Sequence, residues 1–380
     1  MEAQALDIVQ PTTVSSLGVP ASQLPRSPTS PGPRGDLSLD SPGFSPPLHA
    51  YSSAAATAGL NLELNRYMDI LPYDRTRVHL SGEAARSTSL SSPVLQGRIS
   101  DYINASWVSF PGRWWIATQA PLPHSLDRFW YMVADQDITI LVNLTPSVEK
   151  GYVKAHPYWP TEETPVLEYE GGLEVHHVSS APFPRAPEDM TIRHLKLIRP
   201  IHPTTPTIPP SSPIRERAIT LIHYHTWPDH GVPKKPATPL LHLLDELEIL
   251  SPAEDPDKAP EEILTPPILV HCSAGCGRTG TLCVLDAILR LIRHTQGSSS
   301  TEKDDPASKA GKITSTGANP SESTLTPSEE VMQSEDPVVS LVERARAARP
   351  QMVQSLTQLL FIYDVIKYYF TRPQGAFFSE

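Results

Sequence analysis

One run of residues limits how this chain can fold more than any other: His271-Cys272-Ser273-Ala274-Gly275-Cys276-Gly277-Arg278-Thr279-Gly280. It follows Pro266-Pro267-Ile268-Leu269-Val270, an apolar stretch with the length of a short buried strand. It precedes residues 281–292, where Leu282, Leu285, Ile288, Leu289 and Ile292 fall on one face of a helix. A strand, a loop of small residues and a helix N-terminus therefore stand in direct succession.

That succession suits a phosphate. Successive N–H groups of a glycine-rich turn can point at one anion, and the helix start adds the positive end of its dipole. Gly275, Gly277 and Gly280 let the backbone curl and approach closely. Arg278 can fork two donors onto two phosphate oxygens. The donors that would hold a phosphate would also stabilise a thiolate, so Cys272 is expected to ionise below the ordinary thiol range and to act as a nucleophile. A Walker-type nucleotide loop needs Lys and then Ser or Thr after its last glycine, and no Lys follows these glycines.

Composition narrows the class. The chain has 380 residues, room for one large domain or two small ones, and its 42 prolines are clustered, so part of it is expected to lack a fold. A net charge of −11 without a long basic run argues against nucleic acid as partner. Cys272, Cys276 and Cys283 are the only cysteines, all in or near the loop, which leaves no disulfide framework and fits a reducing compartment. The N-terminus lacks an apolar signal core and no apolar run approaches membrane-spanning length, so no membrane insertion is expected. The expected location is cytoplasmic, with the nucleus also open to it. No His/Cys cluster has metal-ligand spacing, so neither metal nor cofactor is expected.

Along the chain, residues 1–58 are rich in Ser, Pro, Ala and Thr and read as a disordered N-terminal region. Their Ser-Pro pairs at Ser27, Ser30, Ser41 and Ser45 resemble sites for proline-directed kinases. A catalytic domain is expected over 59–373, with loop insertions at about 81–97, 200–213 and 251–263, a disordered insertion at about 295–336, and a tail over 374–380. Strand-like runs lie at 173–178, 191–198 and 218–224, and an amphipathic helix at 236–250.

Several fragments occur in an order that matters: Asn65-Arg66-Tyr67, Pro72-Tyr73-Asp74 with Arg77-Val78, Asp101-Tyr102-Ile103-Asn104-Ala105-Ser106, Thr118-Gln119-Ala120-Pro121, Trp227-Pro228-Asp229, the Cys272 loop, and Gln354 with Gln358. Together they resemble the cysteine-based, non-receptor protein tyrosine phosphatases, with fungal members similar in signature and insertions. The resemblance covers residues 60–370 apart from the insertions. It implies a single α/β (α+β) domain, with a twisted mixed sheet flanked by helices, that hydrolyses phosphotyrosine through a cysteinyl-phosphate.

By the same resemblance, Arg278 and the N–H groups of Ser273, Ala274, Gly275, Cys276 and Gly277 hold the phosphate behind His271. Asp229 protonates the leaving tyrosyl oxygen from a mobile loop containing Trp227. Thr279 steadies the departing sulfur. Gln358 holds the hydrolytic water and Gln354 assists it. Tyr67 walls the pocket, Asp69 binds the substrate backbone, Glu149 braces Arg278, and Lys154 lies near the acid. Ala120 stands where the family has Gly, a change expected to perturb a turn beside the site, and Ala155 where it has a non-catalytic Cys. Phosphotyrosine proteins are the implied partners, MAP kinases among them. The alternatives are a dual-specificity phosphatase, which shares Cys272 and Arg278, and a catalytically weak phosphotyrosine-binding module.

Overall fold

The computed structural model describes residues 48–81, 100–200, 214–229, 231–233, 237–301 and 325–371. Nine strands form one sheet: β1 (Arg77–His79), β2 (Tyr102–Phe110), β3 (Arg113–Thr118), β4 (Ile140–Asn143), β7 (Val166–Tyr169), β8 (Leu173–Pro182), β9 (Met190–Pro200), β10 (Ile214–Tyr224) and β11 (Ile268–His271). A separate hairpin pairs β5 (Val148–Glu149) with β6 (Tyr152–Val153). The sheet order is β1-β2-β3-β11-β4-β10-β9-β8-β7. The helices are α1 (Ala54–Thr57), α2 (Leu126–Asp135), α3 (Thr238–Leu250), α4 (Gly277–Thr301), α5 (Pro327–Met332), α6 (Pro337–Ala348) and α7 (Leu356–Thr371).

Side chains alternate across the central strands, as a period of two requires. Trp115, Ala117, Val142, Ile222, Ile268 and Val270 join a core with α3, α4, α6 and α7. Ile116, Leu141, Leu221 and Leu269 join a second core on the other face, with Phe129 and Trp130 of α2. The helix expected after the loop is buried on more than one face: besides the five positions foreseen, Cys283, Val284, Ala287 and Leu291 are inside. It runs between the sheet and helices α6 and α7.

Strands β3, β11, β4 and β10 are mutually parallel. Their C-terminal ends therefore share one edge of the sheet, the edge where open α/β sheets bind ligands. Thr118-Gln119, the Cys272 loop, the chain leading from Asn143 to the β5–β6 hairpin, and Trp227 all leave from that edge. The three strand-like runs foreseen at 173–178, 191–198 and 218–224 are parts of β8, β9 and β10.

Three boundaries differ from the sequence reading. Residues 48–58 are folded, not part of an unstructured tail: the Asp74 carboxylate accepts the N–H groups of Ala54 and Ala55 at 2.9 Å each, and Ala56 is buried against Leu64 and Tyr102. Residues 251–265 form an anchored strap. Burial would raise the Glu254 carboxyl, but Lys258, Thr265 and the Leu264 N–H bind it and hold it down to about 2. Trp114 Nε1 donates to Pro260 O and Ile263 enters the second core. The insertion expected at 295–336 is narrower at both ends, because α4 continues to Thr301 and α5 opens on a reciprocal Thr326–Glu329 capping box. Residues 1–47, 82–99, 201–213, 302–324 and 372–380, which hold the rest of the foreseen tails and insertions, lie outside the described residues.

Candidate active site

The Cys272 loop is shaped by where its carbonyls go. Cys272 O accepts from His271 Nδ1 at 2.9 Å, and Ser273 O accepts from Ala120 N–H at 2.9 Å. Ala274 O and Gly275 O accept from Arg349, at 2.9 and 2.8 Å. A trans peptide points its N–H opposite to the preceding carbonyl. Engaging four successive carbonyls from behind therefore turns the N–H groups of Ser273, Ala274, Gly275 and Cys276 the other way. Gly275 sits at φ +73, and a Cβ there would fall 2.0 Å from Thr118 O, so only glycine fits.

Cys272, 4 % exposed, lies at the floor of a cavity of about 180 Å³. Burial alone would push its thiol up. The Arg278 guanidinium, the Thr279 hydroxyl and the N–H groups of Thr279 and Cys276 overcome this and pull it below the ordinary thiol value. Among the described residues the buried Thr279 hydroxyl makes no hydrogen bond to a group other than the sulfur, so its proton is available there. The other two cysteines behave oppositely: burial pushes Cys276 up to about 12 and Cys283 well above its usual value. His271 is fully buried and held to about 3, chiefly by burial, so it is neutral. Its Nδ1 donates to Cys272 O, and its Nε2 accepts from the Tyr158 hydroxyl at 2.7 Å.

Arg278, 1 % exposed, donates to Trp227 O at 2.9 Å and to Asp229 Oδ1 at 3.0 Å. Lys154 Nζ holds the other Asp229 oxygen at 2.6 Å. Glu149 stands 3.9 Å from Arg278 Nη1, but its shorter bonds, 2.9 and 3.2 Å, receive the Asp229 N–H. It fixes the Asp229 backbone more than it braces the arginine. The Ser273 hydroxyl donates to Lys154 O at 2.7 Å, so the Tyr67 hydroxyl must donate to Ser273 Oγ at 2.8 Å.

Tyr67, Asp69, Lys154, Asp229, Ser273, Ala274, Cys276, Gly277, Arg278, Gln354 and Gln358 all line the cavity with Cys272. Gly275, Thr279, His271, Glu149 and Trp227 support it from outside that lining. Ala120 is buried with an ordinary negative φ, so it fills the glycine position without disturbing the turn.

The two glutamines differ. Gln358 is buried and forms a capping box with Ser355: its N–H donates to Ser355 Oγ and its Oε1 accepts the Ser355 N–H, both at 3.2 Å. Gln354 is exposed and donates through Nε2 to Gln351 Oε1 at 3.0 Å.

A family model described as protein-tyrosine phosphatase matches residues 61–303. The chain belongs to the protein-tyrosine phosphatase family. It is 33 % identical over 322 residues to human receptor-type tyrosine-protein phosphatase H, covering 84 % of this chain and 22 % of that protein. It is 35 % identical over 250 residues to human tyrosine-protein phosphatase non-receptor type 2, covering 64 % and 50 %. The chain thus spans half or less of the length of these relatives. Among solved structures it is similar to the catalytic domain of human protein tyrosine phosphatase non-receptor type 18, with a TM-score of 0.58 at 27 % identity over 84 % of this chain and 88 % of that one. It is also similar to PTPN18 in complex with HER2 phosphopeptides, with a TM-score of 0.59 at 26 % identity over 85 % and 86 %.

Sequence reasoning missed two supports of this phosphatase-family site. Gln119 accepts the Arg66 N–H and donates to Leu64 O, both at 2.8 Å, and so places the Tyr67 segment. Arg349, fully buried, joins the loop carbonyls to Asn104 Oδ1 at 2.8 Å and Ser106 Oγ at 3.2 Å. This accounts for the alternate polar residues of the 101–106 motif, since Tyr102 and Asn104 also bind Asn65. Arg349→Met is expected to leave buried acceptors unpaired, at about 1–3 kcal/mol each. It should also release the loop amides, lowering kcat/KM roughly 10²-fold, the scale of a lost oxyanion donor. Without that cation and with the amides loosened, the thiolate is less favoured, so the pH midpoint of Cys272 alkylation should rise. An unchanged midpoint would refute the clamp.

Proposed function

We propose that this chain hydrolyses phosphotyrosine in proteins through a cysteinyl-phosphate intermediate. The observation that carries the reading is the Cys272 thiol, pulled below its ordinary value at the floor of a cavity that Arg278 also lines. Cys272 Sγ attacks phosphorus in line as the P–O bond to the tyrosyl oxygen breaks. Arg278 and the loop N–H groups hold the equatorial oxygens. A phosphate taking over Arg278 would leave Asp229 beside added negative charge, which favours its protonated form. Asp229 then gives its proton to the leaving oxygen.

In the second step water attacks phosphorus, the P–S bond breaks, the thiolate leaves past the Thr279 hydroxyl, and Asp229 takes the water's proton. The resemblance has Gln358 hold that water with Gln354 assisting. We propose the reverse. Both side chains lie over Gly277, but Gln358 is buried with its Oε1 already accepting the Ser355 N–H at 3.2 Å, whereas Gln354 is exposed at the cavity and its Oε1 can accept from water.

Tyr67 stands beside the loop as a wall suited to an aromatic ring, Lys154 and Asp69 keep the roles of acid partner and peptide-backbone acceptor, and Glu149 holds the Asp229 backbone rather than Arg278. The fungal resemblance extends the proposal to MAP kinases as substrates and to a cytoplasmic or nuclear location. Among the described residues no helix is long and apolar enough to cross a membrane.

The test is a pair of peptides differing only in phosphotyrosine or phosphoserine. We expect kcat/KM to favour phosphotyrosine by roughly 10³-fold or more, because a short phosphoserine leaves the pocket's polar floor unmatched. Comparable rates would indicate a dual-specificity enzyme, and binding without turnover a phosphotyrosine-binding module.

A further inference from the structure

The segment between α6 and α7 has an unusual backbone. Gln351 has φ +58 and Val353 φ +54, and neither is glycine. A β-branched residue in the left-handed region is a genuine outlier that persists only when its surroundings impose it. One source of constraint is packing: a Cβ on Gly280 would fall 2.5 Å from Val353 N, so this backbone presses directly on the first turn of α4. The other is a single side chain. Arg346, in the last turn of α6, donates from Nε to Met352 O and from Nη2 to Val353 O, both at 2.9 Å. Its planar fork spans two successive carbonyls and fixes the peptide between them. The residue after Val353 is Gln354, followed by the Ser355–Gln358 capping box, so the direction in which both glutamines enter the cavity is set by this turn.

We propose that Arg346 is a positioning residue for the second half-reaction, holding the 351–353 turn so that Gln354 and Gln358 face the phosphorylated cysteine. The inference rests on the two-step reading above. In that half-reaction the water oxygen bonds to phosphorus, the P–S bond breaks with its electron pair on Cys272, and the water's proton passes to Asp229. Arg346 touches none of these atoms, and the cavity lining does not include it. The first half-reaction uses Cys272, Arg278 and Asp229, with Arg278 bonded to Trp227 O and Asp229, and Asp229 to Lys154. The two steps should therefore respond differently to its loss. A surface arginine that merely stabilised a turn would lower the melting temperature and spare the balance between the steps.

Stopped-flow turnover of para-nitrophenyl phosphate separates the steps, because nitrophenolate is released in the first. Arg346→Met is expected to keep the first-step rate within about 2-fold and to slow hydrolysis at least about 10-fold. A nitrophenolate burst approaching one equivalent of enzyme should then precede the steady state, with phosphate accumulating on Cys272. Arg346→Lys, which keeps the charge but not the fork, should show the same imbalance in smaller degree. If Arg346→Met proves too unstable to assay, Arg346→Lys carries the test with the same readouts. An unchanged ratio of the two rates, or an equal decline in both, overturns the proposal. Failure of the two-step reading would look different: the unmodified protein itself would release no nitrophenolate, or would do so without any phosphocysteine.

Discussion

Cys272→Ser is expected to abolish turnover of a phosphotyrosine peptide while the peptide still binds. A serine hydroxyl is far less acidic than a thiol, so the groups that pull Cys272 below its ordinary value cannot make an alkoxide of it. The loop itself should survive, because its carbonyl partners His271, Ala120 and Arg349 do not use the sulfur. The loss should exceed roughly 10⁴-fold in kcat, the scale reached when a nucleophile is removed from a site that keeps its oxyanion donors. Calorimetric titration with the phosphopeptide checks the retained affinity. Residual turnover within 100-fold of the unmodified protein, an outcome that assigns the nucleophile elsewhere, would sink the assignment.

The second large effect is expected at Asp229. Its two oxygens are held by Arg278 at 3.0 Å and Lys154 at 2.6 Å, and its N–H by Glu149. The carboxyl is thus fixed at the cavity mouth without help from substrate. Asp229→Ala should lower kcat by roughly 10²–10⁴-fold, the range for a positioned general acid. A general acid works only while protonated, so kcat/KM of the unmodified protein should fall as pH rises through its ionisation. That basic limb should vanish in Asp229→Ala. A substrate whose leaving group needs no proton, such as an aryl phosphate with a very acidic phenol, should lose much less. If the basic limb persists unchanged in the variant, another group is the acid.

The parts of this site that could be read from sequence are those whose chemistry is written in adjacent residues. The strand at 268–271, the small-residue loop and the helix after it are covalent neighbours, so their order alone implies an anion cradle around Cys272. Arg349 was illegible for the opposite reason. Its partners are carbonyls 74 and 75 positions away and side chains more than 240 away, and an arginine followed by proline near a helix end has no local meaning. Residues 251–263 read as a loop insertion because they are acidic and rich in proline. The order of the strap comes from long-range partners: Glu254 closes on the N–H groups of residues 264 and 265, Trp114 binds Pro260 O, and Ile263 enters the second core. Residues 48–58 looked like a tail because their own composition cannot bury a core, yet Asp74 caps them from some 20 positions away.

The same contrast explains the glutamines. Their spacing would put two polar residues on one helical face, but Gln354 precedes α7, and only the Ser355 capping box shows that Gln358 has its carbonyl oxygen already engaged.

Passage of phosphate through the Cys272 sulfur is the step on which the whole mechanism depends. It is tested most directly by mixing the protein with a phosphotyrosine peptide labelled at phosphorus, quenching within milliseconds, digesting, and mapping the label. The expected product is a phosphothioester on the peptide containing Cys272, stable near neutral pH and lost on treatment with iodine. Label on a histidine or serine peptide, or turnover with no labelled protein at any quench time, would contradict it.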